Sequence, residues 1–359
     1  MREVLRIALV FVASCIFLNA GAQKGIDISQ YYHLKSFYNP AEPGNTDYLN
    51  ITAGGRLQSL GLDPSPASAV VAAGMPYLLL NKYHLGGGVK AYYNTYGDTK
   101  ILTAGAQISY KFNLGFGILS LGIEPGYTEL RYDKKLGSDS SGNTEDSDND
   151  DDYLPDYPDT PEISPPGSNS GNAYSTVTKL KKGNFNIGAG VYFSSKYWWA
   201  GISVQNIISP KLRDTTVEID TLGMSNNPLN HKWEYPVAVK LYPDIFFMAG
   251  CNIPIRGTFF SINPSVFASR YNGYHTGQVD VIAEWKNMIS LGGGYRYKEA
   301  ATVSIGLAFK GFRIGYAYDI PAGERWRGSK GSHEVILGYS MKMNVFDTPR
   351  HRYHSIRYM

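Results

Sequence analysis

Three aspartates spaced two residues apart are the candidate for ion chemistry in this chain. Asp146, Asp148 and Asp150 lie in an acidic run that a proline-rich stretch follows. Carboxylates at alternate positions can converge on one hard cation, as at the start of a calcium loop. The turn glycine and the closing glutamate of such a loop are absent, so a solvated acidic loop of low complexity is the simpler interpretation. Weak Ca²⁺ binding is the alternative that the sequence leaves open.

A second group of polar and charged residues lies on predicted strands of the C-terminal third. By the two-residue alternation of a strand, we expect these side chains to share one face of the sheet. They are Gln278, Asp280, Glu284, Lys286, Arg296, Lys298, Arg313, Asp319, Ser332 and Glu334. Opposite charges on adjacent strands pair across a sheet. The set therefore predicts an internal ion-pair network, with a polar channel lining or the binding face for a plug segment as the alternatives.

The sequence contains no convincing catalytic constellation. His333 is flanked by Ser332 and Glu334, but neighbours in a strand point to opposite faces. No G-x-S-x-G, H-E-x-x-H, C-x-x-C or phosphate-loop motif follows the first 22 residues. We therefore expect neither an enzyme nor a cofactor, with a membrane-embedded lipid hydrolase as the enzymatic alternative. The net charge of +3 and the lack of basic clusters interleaved with aromatics give no support for a nucleic-acid partner.

The elements that position these residues are indicated by an alternation that recurs along the chain. Between 99 and 112 the even positions are mostly apolar and the odd positions are small or polar, and the same pattern returns at 302–309 and 334–342. A soluble β-sandwich has the same period. The 28 tyrosines, many beside the apolar runs, instead favour the aromatic girdles of a transmembrane barrel. We expect an all-β, antiparallel up-and-down β-barrel in an outer membrane.

The N-terminus has the features of an export signal. Arg2 and Arg6 precede an apolar stretch at 7–18 and the small-residue site Ala20–Ala22, which predicts cleavage before Gln23. No later stretch of about 18 apolar residues would span a membrane as a helix. Cys251 is then the single cysteine of the mature chain, so no intramolecular disulfide is expected.

Fourteen alternating runs give the predicted strands. They lie near 48–57, 68–79, 84–95, 99–112, 117–131, 183–194, 197–206, 245–254, 258–270, 276–286, 289–298, 301–309, 312–320 and 332–343. The acidic loop 132–182 and a second loop at 207–244 follow odd strands, and short turns follow even ones. Because outer-membrane barrels have short periplasmic turns, both loops should be extracellular and both mature termini periplasmic. A further strand or hairpin at 233–242 would raise the count to sixteen.

The predicted organisation is therefore a signal peptide at 1–22, a periplasmic or lumen segment at 23–47, a barrel at 48–343 and a basic periplasmic tail at 344–359.

Particular motifs resemble those of the PorP/SprF family of Bacteroidetes outer-membrane proteins. They are Ile26–Tyr32, Phe37–Ala41 with Asn39 and Pro40, Asn263–Ser265, Gln278–Asp280, Gly294–Arg296, Ile314–Asp319 with Tyr316, and Gly331–Leu337. The resemblance implies an outer-membrane component of the type IX secretion system or of its gliding relatives. It also implies periplasmic ring subunits and lipoproteins as partners and, for some members, one particular exported surface protein. Such a protein would anchor or accept exported proteins; a general diffusion porin or small-solute channel is the alternative.

Overall fold

The fold is taken from a computed structural model. It describes residues 28–61, 65–79, 83–97, 99–135, 175–208, 211–212, 218–222, 239–240, 243–271, 274–322 and 328–343. The predicted signal peptide, the candidate Ca²⁺ residues Asp146, Asp148 and Asp150, and the basic tail lie outside the described residues.

Fourteen antiparallel strands form the wall. They are β1 (Tyr48–Leu57), β2 (Ala67–Leu79), β3 (Tyr83–Tyr96), β4 (Thr99–Asn113), β5 (Ile118–Lys135), β6 (Ser175–Ser194), β7 (Trp198–Gln205), β8 (Asp244–Cys251), β9 (Phe260–Tyr271), β10 (Tyr274–Trp285), β11 (Ile289–Arg296), β12 (Ala300–Phe309), β13 (Phe312–Pro321) and β14 (Ser332–Lys342). Each pairs with the next along the chain, and β1 pairs with β14 from Tyr48↔Lys342 to Leu57↔His333. The predicted closed barrel of fourteen strands is confirmed.

Side-chain exposure follows the predicted alternation. On β12, Val303, Ile305 and Leu307 are 50–56% exposed on the outer face, whereas Thr302 and Ser304 are 4% and 8% exposed and face the lumen. The outer face thus offers an apolar belt to lipid, and the inner face is polar. No helix in the described ranges is long and apolar enough to cross a membrane.

The two ends of the barrel differ in their connections. Turns that follow even-numbered strands, such as 195–197, 286–288 and 310–311, are short, and we name this side the short-turn end. The connections after odd-numbered strands lie at the long-loop end, which carries the two longest, between β5 and β6 and between β7 and β8. β1 begins and β14 ends at the short-turn end.

Three details differ from the sequence prediction. The β5–β6 ladder continues past the predicted strand ends to Lys135↔Val177, because a hairpin can keep pairing beyond the rim. The second long connection contains Glu218–Leu222, which pairs with β6. Val239–Lys240, from the possible extra hairpin, pairs with Lys211–Leu212 in a separate small sheet, so the wall keeps fourteen strands.

Two predicted inward lysines do not face the lumen. Lys286 and Lys298 have left-handed φ values of 52° and 55° in turns that follow β10 and β11. The strands end earlier than the sequence suggested, so the strand alternation does not apply to these two residues. Lys286 Nζ lies 4.7 Å from the ring centroid of Trp285, and Lys298 Nζ lies 5.3 Å from that of Tyr297.

Candidate functional site

The barrel contains its own N-terminal segment. Residues 28–47, here called the lumen segment, include a 3₁₀ turn at Tyr31–His33 and one α-helical turn at Lys35–Tyr38. The most buried residues of the segment have relative exposures of 0–3%. They are Ile28, Ser29, Gln30, Tyr31, Leu34, Phe37, Tyr38, Asn39 and Ala41. So little exposure is possible only because the segment is surrounded by the barrel wall.

Ser29 is held at the long-loop end by two carboxylates. Its backbone N–H donates to Oε2 of Glu334 at 2.8 Å, and the next N–H, of Gln30, donates to Oε1 at 2.9 Å. The Ser29 hydroxyl donates to Asp319 at 2.8 Å. We name Asp319 and Glu334 the carboxylate clamp. Hydrogen bonds to ionised acceptors are roughly twice as strong as neutral ones, so this is a firm attachment point.

Two arginines compensate the clamp's negative charge. Arg56 lies 2.6 Å from Asp319 and 3.2 Å from Glu334, and Arg296 lies 3.4 Å from Asp319. Both guanidinium groups also donate to the Ser29 hydroxyl oxygen at 2.9 Å. That oxygen therefore uses its donor and both of its lone pairs. All four charged residues are at most 4% exposed, a burial that ions tolerate only when they are paired.

Gln278 connects the clamp to a third carboxylate. Its amide nitrogen donates to the Ser29 carbonyl at 2.9 Å and to Asp280 at 3.0 Å, and its oxygen accepts from Arg296. The strands β1, β10, β11, β13 and β14 thus converge on one residue of the lumen segment. These contacts fix Ser29 through its backbone and its hydroxyl together.

The opposite half of the wall holds the segment by its carbonyl groups. Lys90 donates to the Phe37 carbonyl at 2.9 Å, and Ser203 donates to that of Tyr38 at 2.6 Å. Four more side chains donate to carbonyl groups of the segment. These hydrogen bonds run from Gln107 to Ser36, from Gln205 to Tyr38, from Ser109 to Pro43 and from Lys111 to Gly44. We name these donors on β3, β4 and β7 the carbonyl grip. Lys90 is itself paired with the buried Glu124 at 2.8 Å.

Aromatic packing fills the space between the two groups. Tyr31 stacks on Phe267 with ring centroids 4.8 Å apart, and its hydroxyl donates to Ser265 at 2.8 Å. Tyr38 packs against Phe267 at 4.8 Å and Phe246 at 5.3 Å. Offset and edge contacts of this kind add to the burial of the rings. The lumen segment therefore has its own hydrophobic core with β8 and β9.

The Asn39-Pro40 motif explains why the wall is glycine-rich here. The Asn39 amide donates to the Val191 carbonyl at 3.0 Å, and its oxygen accepts from the Ala41 N–H at 2.9 Å. A methyl group added at Gly122 would overlap the backbone of Pro40. A methyl group added at Gly86 would likewise overlap the backbone of Pro43. Only glycine allows the two backbones to approach so closely.

His33 lies at the short-turn end of the lumen. Arg313 lies 3.1 Å from its Nδ1, and because a guanidinium can only donate, Nδ1 must accept. Burial, and then the charge of Arg313, lower the pKa of His33 well below its ordinary value. His33 is therefore neutral when the segment is docked. Glu284, another residue predicted to face the lumen, lies at the same end and accepts a hydrogen bond from the Ser261 hydroxyl at 3.4 Å.

The structure brings most of the sequence-predicted polar residues together. Gln278, Asp280, Arg296, Asp319 and Glu334 form the cluster around Ser29. Ser332, nearby on β14, accepts from the Ser59 N–H at 3.0 Å. Tyr316 lies apart, 39% exposed on the outer face, with its hydroxyl 2.7 Å from His333 Nδ1.

Sequence reasoning missed the partners on the N-terminal half of the barrel. Arg56, Lys90 and Glu124 are buried inward-facing residues on β1, β3 and β5. Isolated charges within otherwise apolar or small-residue strands were the available signal. Within the described ranges, no group of three or more His, Cys, Asp or Glu residues could hold a metal ion.

Comparisons with known proteins establish the family. The family model of the type IX secretion system membrane protein PorP/SprF matches residues 20–339, which confirms the resemblance indicated by the motifs. No curated protein matches the chain.

Three solved structures are similar to the chain. A FadL homologue of Pseudomonas aeruginosa has 12% identity and a TM-score of 0.49, over 85% of this chain and 92% of that one. The translocator domain of the autotransporter NalP from Neisseria meningitidis has 10% identity and a TM-score of 0.43, over 88% and 94%. The Pseudomonas putida toluene transporter TodX has 9% identity and a TM-score of 0.45, over 90% and 96%.

Proposed function

Because this chain belongs to the PorP/SprF family of type IX secretion system membrane proteins, we propose that it is a non-enzymatic, closed outer-membrane barrel that anchors or accepts exported proteins. In this role it works with periplasmic ring subunits and lipoproteins. The partner proteins bind its rims and loops rather than passing through its lumen.

The observation that carries this proposal is the occupied lumen. The lumen segment is buried, and its backbone is held on one side by the carboxylate clamp and on the other by the carbonyl grip. A diffusion channel needs a continuous aqueous path, and this arrangement leaves hydrogen-bonded protein in its place. The alternative, a porin, would require the segment to leave.

The short turns suggest the orientation. Outer-membrane barrels place short turns in the periplasm, so the end of β14 and the tail after it face the periplasm. The sequence alone predicted the same side for the mature N-terminus. Ser29, however, is bound among residues near the long-loop ends of β1, β13 and β14. We therefore propose that the mature N-terminus is on the extracellular side and that residues 28–47 of the predicted segment lie in the lumen.

Two measurements test the proposal together. The tagged, full-length protein is purified from native outer membranes in mild detergent, and co-purifying proteins are identified by mass spectrometry. The same preparation is reconstituted into planar bilayers and its conductance is measured. A variant that lacks residues 24–38, and so should have an open lumen, is measured in the same way as the control. We expect secretion-ring lipoproteins or one large exported protein to co-purify, and conductance only from the deletion variant.

Stable conductance by the intact protein, with no co-purifying partner, would instead assign a porin. An epitope tag inserted after Gln23 tests the orientation separately. Antibody should bind that tag on intact cells, and labelling only after permeabilisation would reverse the assignment of the mature N-terminus.

A further inference from the structure

Four consecutive turns at the short-turn end each carry an exposed basic residue. They are Lys196 between β6 and β7, Arg256 between β8 and β9, Lys286 between β10 and β11, and Lys310 between β12 and β13. We name these four residues the basic arc. No acidic residue lies in these turns, which the structure describes in full, and Asp47, just before β1, adds one acidic group at this rim.

The lysines of the basic arc lie beside exposed aromatic rings of the strand ends and turns. Lys196 Nζ is 5.2 Å from the ring centroid of Tyr197, and Lys310 Nζ is 5.2 Å from that of Phe309. Lys286 lies over both Trp285 and Phe259, at 4.7 Å and 5.2 Å. These rings are exposed, from 39% for Trp285 to 71% for Phe259. Each ammonium group is therefore at the edge of the apolar belt.

This position matches the head-group layer of a membrane. A lysine stem can lie along apolar surface while its charge reaches the polar layer. Aromatic rings mark the same depth in barrels. A protein partner would be expected to cover the mouth of the barrel, whereas the rings of Trp285 and Phe309 lie on its lipid-facing side.

β14 ends at the short-turn end. The sequence that follows it, outside the described ranges, contains Arg350, His351, Arg352, His354 and Arg357 against Asp347. The acidic sequence of 132–182 is connected to the opposite end through β5 and β6.

We propose that the basic arc is a binding site for the phosphate groups of anionic phospholipids in the leaflet at the short-turn end. The lysines and Arg256 supply the charge, and the neighbouring rings set its depth. This inference goes beyond the proposed function and does not depend on which exported protein the barrel serves.

The test compares two matched double variants of the full-length protein, delipidated in detergent. Lys286→Gln with Lys310→Gln removes half of the basic arc. Lys298→Gln with Lys330→Gln removes two exposed lysines at the long-loop end, and Lys298 lies over Tyr297 at 5.3 Å, much as Lys310 lies over Phe309. Short-chain phosphatidylglycerol and phosphatidylcholine are titrated into each protein, and binding is followed by thermophoresis at low and high salt.

We expect the wild type to prefer phosphatidylglycerol, and this preference to weaken at high salt. The arc variant should lose roughly twenty- to thirty-fold in affinity for phosphatidylglycerol, at about fivefold per basic residue, and the control variant should bind like the wild type. Heat-modified migration in gels verifies that each barrel is folded.

Equal binding of the two lipids, or unchanged binding by the arc variant, would overturn the proposal. An arc variant that keeps its lipid affinity but loses co-purifying proteins would assign the arc to a protein partner instead. Equal losses in both double variants would mean that the effect follows total charge, which also contradicts a specific site.

Discussion

The two halves of the lumen wall hold the same segment by opposite chemistry. The carboxylate clamp captures N–H groups and the hydroxyl of Ser29 at one place. The carbonyl grip uses two lysines and several neutral side chains, and spreads its hydrogen bonds from Ser36 to Gly44. One half therefore depends on a few buried charges, and the other on many separate contacts. The wall matches the two polarities of a peptide backbone, acceptors facing N–H groups and donors facing carbonyls.

This difference predicts unequal consequences of mutation. Removing one partner of a buried ion pair is strongly destabilising, because the other charge remains buried and unpaired. Neutral hydrogen bonds contribute about 1 kcal/mol each. The same measurement serves for every variant. Ser36→Cys is introduced in a Cys251→Ser background and labelled with a water-soluble maleimide. The labelling rate then measures how often the lumen segment leaves the wall.

The largest effect is expected for Asp319→Ala. It leaves Arg56 and Arg296 without their shared carboxylate, at a cost of about 3–5 kcal/mol to docking. Labelling of position 36 should rise by two orders of magnitude or more, and planar-bilayer conductance should appear. Thr302→Ala is the control, because it removes only one neutral donor to Asp319. Equal labelling of the two variants would contradict a charge-based clamp.

Gly122→Val tests whether close backbone approach matters on the other half. The added side chain would overlap the Pro40 backbone and should cost about 1–3 kcal/mol of docking. Labelling should rise, while the barrel stays folded in gels. Gly55→Val is the matched control, since a Cβ at Gly55 would meet nothing within 4 Å. An increase in the control as large as in the Gly122 variant would show that valine affects the wall rather than the segment.

Ser203→Ala should have a small effect. It removes the 2.6 Å hydrogen bond to the Tyr38 carbonyl, worth about 1 kcal/mol, and Gln205 still donates to the same carbonyl. Position 36 should label about fivefold faster. A loss as great as that of Asp319→Ala would remove the distinction between a concentrated clamp and a distributed grip.

The smallest effect concerns pH. Docking keeps His33 neutral, with its pKa below that of the free side chain, so the released segment binds more protons. The contribution of His33 to docking should therefore be present above pH 6.5 and be lost below it, by at most about 0.8 kcal/mol at pH 6. Labelling at pH 6 and 7.5, corrected for thiol ionisation with a peptide standard, measures this change. His33→Gln should reduce the pH dependence. An undiminished dependence would assign the effect to another group of the segment, such as Lys35, whose pKa burial lowers to about 7.

Local periodicity made much of the barrel predictable. Strand side chains alternate between faces, so the apolar and polar residues of β4, β12 and β14 could be assigned to lipid or lumen without a structure. The same rule grouped Gln278, Asp280, Arg296, Asp319 and Glu334 on the inner face. It failed at Lys286 and Lys298, where the strands end and left-handed turns begin. Where a strand ends depends on how the wall closes, and the alternation of apolar and polar residues does not encode it.

The sequence by itself determined the positions of the fourteen wall strands, the two faces of each strand and the family motifs, because these depend on neighbours along the chain. It left open whether residues 233–242 add two further strands, which the separate pairing of Val239–Lys240 decided. Only the tertiary structure decided that Ser29 meets Glu334, 305 residues away, and Arg56, 27 residues away, across a closed barrel. It likewise decided that Gly122 faces the backbone of Pro40. Contacts across a lumen depend on the register and closure of all fourteen strands together, which no local pattern encodes.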